Sequence, residues 1–299
     1  YCKRPSTPFL DINGDLEFIE NAILYNGEIR DWIPKIILNG PPGTGKSLLV
    51  HTLVSKLEDQ LNCKIPYFSM ACSEDTREHH FKGSFIMQGD RTPFVFGTAA
   101  AALKKANSDG IAVLYLDEFS SLLPQVQKNL NTLLDHQREI SIPEIGLNLR
   151  LDEHATLIII CSMNPCAFGG LSALNLDLKS RLVRTYLDFP DMDREIKVVQ
   201  SATGSKDTKL ILSMIRVAQL SRVKSLSYQI TTREIINHIK MLQQNADASK
   251  VLMSLILPFK EQEDEFKTML DRVNACFKLP EKLEIKRVQY EDAVQAYSL

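Results

Sequence analysis

The chain has 299 residues, 44% hydrophobic and 24% charged, with 35 Lys and Arg against 37 Asp and Glu for a formal charge of -2. That length suits one large domain or two smaller ones, and the composition excludes disordered, collagenous and small disulfide-rich chains. Near-neutrality argues against a protein whose main task is coating nucleic acid, and the longest apolar run, Ile111 to Leu116, falls far short of the roughly 20 residues that span a bilayer.

The start, Tyr1-Cys2-Lys3-Arg4, has neither an initiator Met nor the apolar core of a signal peptide, and reads as the start of a trimmed chain. Cys2, Cys63, Cys72, Cys161, Cys166 and Cys276 form no CxxC pair, which points to reduced thiols in a cytoplasmic protein. His79 and His80 lack Cys or carboxylate partners at metal-ligand spacing and read as ordinary loop or helix-end residues. From Gly14 to Asn26, apolar residues recur at helical spacing (Leu16, Ile19, Ile23, Leu24). The run Lys35-Ile36-Ile37-Leu38 then reads as a buried strand, followed by a loop, a helix to about Leu57, and a second strand over Ile65 to Ala71. Strand, loop, helix, strand is a βαβ unit, which builds a parallel sheet with helices on its faces. Ile111 to Leu116, Leu157 to Ser162 and Val183 to Phe189 add three strands. Past Pro190 the pattern from Asp193 to Phe277 reads as several amphipathic helices with almost no glycine, with apolar residues at three and four spacing around Leu210 to Leu220, Arg233 to Leu242, Ser249 to Leu257 and Phe266 to Cys276. The expected division is therefore an α/β core over residues 1–190 and an all-helical subdomain over 191–299.

After the first strand stands Gly40-Pro41-Pro42-Gly43-Thr44-Gly45-Lys46-Ser47, with Leu48 following, in the strand–loop–helix setting of a phosphate-binding loop. Triphosphate oxygens must be met by several backbone N–H groups at once, so the loop must curl without obstruction, as Gly43 and Gly45 permit. The helix N-terminus adds partial positive charge, Lys46 a full one toward the β and γ phosphates, and Ser47 a hydroxyl ligand for Mg²⁺. Independently, the strand ending Tyr115-Leu116-Asp117-Glu118 closes on two adjacent acids. Asp117 suits a hydrated Mg²⁺, and Glu118 a general base toward the attacking water.

With these motifs the chain resembles the AAA+ ATPases, and within them the MoxR-like group. Leu157 to Met163 followed by Asn164-Pro165 is similar to sensor 1, which implies that Asn164 positions water near the γ-phosphate. Ser180-Arg181 is similar to an arginine finger reaching a neighbouring subunit's site, with Arg184 as a nearby competitor, and Thr231-Thr232-Arg233 resembles sensor 2, which places Arg233 at the nucleotide. The resemblance covers nearly the whole chain and makes the helical part a lid. Phe81 to Ile86 with Phe94 to Gly97 reads as a hairpin interrupting a helix, and Glu139 through Leu151 to His154 resembles the pre-sensor hairpin of MoxR-like proteins. Together with Ile230 to Ile236 and Phe277 in the helical part, these point to the CbbQ and NorQ branch, to which gas-vesicle relatives are also close.

The resemblance implies Mg²⁺-dependent ATP hydrolysis in a ring, usually hexameric, that remodels or matures a protein client with a von Willebrand factor A-domain partner. Two rival readings are a nucleic-acid motor and a nucleotide-gated scaffold that assembles without turnover. Around the hairpin, Glu139, Glu144, Asp152 and Glu153 outnumber Arg138 and Arg150, whereas a loop tracking phosphates should be basic. Thr98 to Ala102 after the first insertion, Leu182 after the finger and Ser162-Met163 before Asn164 depart from the family's usual residues, which bears on the client rather than on the ATP chemistry.

Overall fold

A computed structural model describes residues 7–11, 13–135, 137–165, 176–223 and 226–277. Cys2, Cys166 and the first four residues lie outside the described residues. The chain divides into two compact units, the first ending at Phe189 and the second beginning at Pro190.

The first unit is built on a five-stranded parallel sheet: β1 (Lys35–Asn39), β2 (Tyr67–Ala71), β3 (Ile111–Asp117), β4 (Thr156–Met163) and β5 (Leu182–Tyr186). Their spatial order is β5-β1-β4-β3-β2. Continuous apolar runs suit strands covered on both faces, and the alternation of side chains sorts them into two cores. On one face Ile36, Leu38, Val113, Tyr115, Ile158 and Ile160 pack with α1 (Asp15–Ile23) and α2 (Lys46–Leu61). On the other, Ile37, Leu114, Leu116, Ile159 and Cys161 pack with α4 (Thr98–Asp109) and with Phe119 beyond β3. A short α3 (Glu78–Lys82) precedes the hairpin Gly83–Phe85/Phe94–Phe96, and a second hairpin pairs Glu139–Ile142 with Leu147–Arg150. His79 and His80 sit in α3 with their rings 4.1 Å apart. Helix α5 (Leu176–Arg181) leads into β5.

Several boundaries differ from expectation. The first helix stops at Ile23, because Asn26 and Gly27 at positive φ turn the chain into a hairpin of two-residue strands (Leu24–Tyr25/Glu28–Ile29). Strand β2 starts at Tyr67 rather than Ile65, α2 continues to Leu61, and β5 ends at Tyr186 rather than Phe189.

The second unit is a helical cluster of α6 (Met192–Thr203), α7 (Thr208–Val223), α8 (Thr232–Gln243), α9 (Ala248–Ile256) and α10 (Glu263–Cys276) around Val199, Ile215, Ile235, Leu255, Phe259 and Met269. Helix α6 falls within the stretch expected to be helical from Asp193 on, though its own segment is not one of the four singled out. Its inward face carries Glu195, which is completely buried beside Val199, so a charge stands where the apolar periodicity should continue. Glu195 is balanced by Arg222, whose two Nη atoms donate to its oxygens at 2.8 and 2.9 Å, while Thr232 Oγ1 donates at 2.6 Å. Among the described residues, no helix is long and apolar enough to cross a membrane.

Candidate active site

The loop between β1 and α2 is shaped by three glycines. A Cβ on Gly40 would lie 2.0 Å from the Leu187 carbonyl oxygen, so nothing larger fits there without moving backbone. Gly45 has φ 93° and lies under the Phe9 ring. Gly43 also has positive φ, and Thr44 Oγ1 donates to Pro41 O at 3.0 Å, closing the loop behind Pro42. Gly45 offers α2 no side-chain cap, so the first-turn N–H groups remain directed at the loop, an arrangement suited to an anion. Leu48, in the same turn, is 37% exposed.

Lys46 is buried, and its ammonium donates to Gly40 O at 2.7 Å, Pro41 O at 2.9 Å and Asn164 Oδ1 at 2.9 Å. Ser47 Oγ donates to Asp117 Oδ2 at 3.1 Å and lies 3.2 Å from the Tyr115 hydroxyl, which itself donates to Asp117 Oδ1 at 2.9 Å. Residues separated by 118 and 70 positions in the chain thus meet at the C-terminal ends of β1, β3 and β4. In an open parallel sheet, that end is where ligands bind. Burial, and behind it the Asp117 charge, pushes the Tyr115 phenol well above its ordinary range, so it stays a neutral donor.

Residues 35–182 match the family model for the AAA domain, dynein-related subfamily. The first unit is an AAA domain. Members of this family bind nucleotide, usually with Mg²⁺, and generally form oligomeric rings. The chain is 23% identical over 248 residues to protein NorQ of Paracoccus denitrificans, covering 81% of this chain and 86% of that one. An uncharacterized protein of Staphylococcus epidermidis is 24% identical over 253 residues, covering 81% and 90%. Among solved structures, a RuvB mutant from Thermotoga maritima (TM-score 0.48, 18% identity, covering 86% of this chain and 81% of that one) is similar. NtrX from Brucella abortus is also similar (TM-score 0.49, 18% identity, covering 81% and 52%).

Within the AAA domain, Glu118 follows Asp117 in left-handed backbone at φ 54° with its side chain exposed. Two residues that the sequence reading left without a role hold this corner. Ser162 is fully buried on β4; its hydroxyl donates to Asp117 Oδ1 and accepts the Glu118 N–H at 3.2 Å. Phe9, whose N–H donates to Thr52 Oγ1 at 2.8 Å, covers Gly45. Cys72 lies behind the acids: burial first, then the Asp117 and Glu118 charges, push its thiol up to about 12. Ser162 was legible only as part of the sensor strand, and Phe9 carried no signal in the sequence.

Arg181 is not brought to this cluster. Arg181 ends α5 just before Leu182, which pairs with Lys35 at the N-terminal end of the sheet, and its Nη2 lies 3.5 Å from Asp135 Oδ2. Arg184 is exposed on β5 opposite Ile37. Arg233 belongs to the second unit. There Thr231 caps α8 in a capping box with Glu234, Thr232 is anchored to Glu195, and Arg233 is left exposed on the first turn.

Proposed function

We propose that the protein is a Mg²⁺-dependent ATPase of the MoxR-like type that hydrolyses ATP in a ring and uses the cycle to remodel or mature another protein complex. The observation that carries the reading is the convergence of Lys46, Ser47, Asp117 and Asn164 on one point above the sheet, with Glu118 one residue from the shared carboxylate. All three protons of the Lys46 ammonium are engaged with oxygen acceptors that phosphate oxygens would replace. Ser47 and Asp117 offer hard oxygen donors within 3.1 Å of each other, which fits Mg²⁺. When bound, that ion neutralises charge on the β and γ phosphates.

Backbone N–H groups from Gly43 to Leu48 hold the phosphate chain, with Gly40, Pro41 and Pro42 shaping the loop around it; Lys46 stabilises charge on the transferred group. Asn164 orients the water, and Glu118 accepts its proton as the bond from the γ-phosphorus to the β–γ bridging oxygen breaks, giving ADP and phosphate. Arg181 serves the nucleotide of a neighbouring subunit. Arg233 follows the phosphate state from the helical unit.

The hairpin disfavours a nucleic-acid motor: Arg150 is the cross-strand partner of Glu139, so an acid stands opposite part of its small basic content. A protein client, with a von Willebrand factor A-domain partner as in the MoxR-like group, fits better. The Glu118→Gln protein should bind ATP and hardly hydrolyse it, and the complex trapped on it should contain the client. Steady-state hydrolysis with and without DNA, then with a candidate A-domain protein, separates the readings. Stimulation by DNA alone, or full turnover by Glu118→Gln, would overturn this one.

A further inference from the structure

At the opposite end of the sheet from the nucleotide loop, a cavity of about 440 Å³ opens beside the starts of β1, β3 and β4. Lys35, the first residue of β1, and Arg138, just ahead of the second hairpin, both line it. Neither side chain makes a hydrogen bond or ion pair among the described residues. Lys35 is partly buried, which together with the Arg138 charge lowers its pKa, while Asp135 acts in the opposite direction. Asp135 is itself paired with Arg181, and the residue after Arg181 is the strand partner of Lys35. Arg138 is held in left-handed backbone at φ 48° and its carbonyl accepts the Leu151 N–H at 3.0 Å. The acids lining the same cavity, Asp31 and Glu153, are both exposed.

Two neighbouring cations whose nearby acid, Asp135, is shared with Arg181 are an electrostatic cost that an incoming anion relieves. Asp135 acts electrostatically on Lys35 and pairs with Arg181, and Leu182 next to Arg181 is registered against Lys35, so Arg181 stands at the same end of the sheet as the Lys35 and Arg138 pair. We propose that Lys35 and Arg138 form, with Arg181, a receptor for the terminal phosphates of ATP held by a neighbouring copy of this chain, with Asp135 keeping Arg181 stored until that phosphate arrives. The proposal rests on the reading of Arg181 as acting across a subunit interface.

The test uses the Glu118→Gln background with MgATP, reading assembly by sedimentation velocity. Lys35→Met and Arg138→Met should each raise the protein concentration needed for half-assembly by about tenfold to a hundredfold, the worth of one hydrogen bond to a charged group. Lys35→Arg should assemble like its parent. Dilute subunits of each variant should still bind a fluorescent ATP analogue with parental affinity, which shows that they are folded and that their own loop is intact. In an otherwise unmodified background, mixing Arg138→Met with Lys46→Ala should restore hydrolysis, because one subunit brings the working loop and the other the working receptor. Arg181→Ala is run alongside. If it assembles normally and mixing does not rescue it, the interface reading falls. If Arg181→Ala behaves as expected while Lys35→Met and Arg138→Met assemble like the parent, the receptor alone is overturned. Saturable binding of inorganic phosphate by dilute parent subunits, lost in Lys35→Met, would mark a free-anion site and also overturn it.

Discussion

Ser162→Ala tests how Glu118 is aimed. The Ser162 hydroxyl accepts the Glu118 N–H at 3.2 Å while donating to Asp117, and Glu118 occupies backbone at φ 54°. That backbone costs a non-glycine residue about 1–2 kcal/mol. Alanine removes a bond to a charged group, worth about 1.5–3 kcal/mol, and leaves the Glu118 N–H only Asp117 Oδ1 at 3.1 Å. If the loss is felt where Glu118 receives the proton, 1.36 kcal/mol per decade converts it to a fall in kcat of about 10- to 150-fold. Affinity for nucleotide without Mg²⁺ should stay within about twofold, since the loop from Gly40 to Lys46 is untouched. Steady-state hydrolysis read beside equilibrium binding of a fluorescent ATP analogue separates the two, and Ser162→Thr, which keeps a hydroxyl, should recover most of the rate. A kcat within about threefold of the parent would refute the reasoning. Equal losses of affinity and kcat would do so too, by showing that Ser162 supports the loop rather than Glu118.

Arg222→Met should destabilise the second unit by about 3–5 kcal/mol, because Glu195 is left buried with its charge uncompensated. Native-state hydrogen exchange in α7 and α8 should accelerate correspondingly, and adding Glu195→Met should recover most of the loss. Gly40→Ala pushes a methyl group toward the Leu187 carbonyl, so the protein should melt several degrees lower and ATP should no longer raise its Tm. The Cys72 thiol should resist iodoacetamide at pH 8, where a group titrating at about 12 is about one part in 10⁴ thiolate. Its raised value favours the folded, protonated form. That stabilisation is complete below about pH 9 and is lost as pH rises through about 12, which denaturant titration against a Cys72→Ala variant would read.

The parallel strands were legible because a strand covered on both faces must be apolar at every position, and Ile111 to Leu116 meets that demand without a break. The loop and its acids were legible because phosphate and metal chemistry restrict residue types at fixed spacing. Helix α6 was harder to single out within the helical stretch because its buried face includes Glu195, whose partner Arg222 lies 27 residues away. The pair formed by Arg181 and Asp135 was equally invisible, since a separation of 46 residues carries no local pattern. Ser162 and Tyr115 passed as strand filler: a hydroxyl among apolar neighbours announces a partner only once Asp117 is seen beside it.

The ladder between β1 and β5 is fastened at both ends. At the top, Leu187 N–H donates to Asn39 O at 2.7 Å and its carbonyl fills the space where Gly40 has no side chain; at the bottom, Leu182 is registered against Lys35. Five residues of strand at about 3.3 Å each make a strut of about 16 Å between the glycine loop that begins at Gly40 and the end of the sheet where Arg181 precedes Leu182. Neither end can slide without breaking the pairing between them. On the function proposed above, a shift of the loop would be passed along this ladder toward the end of the sheet that carries Arg181.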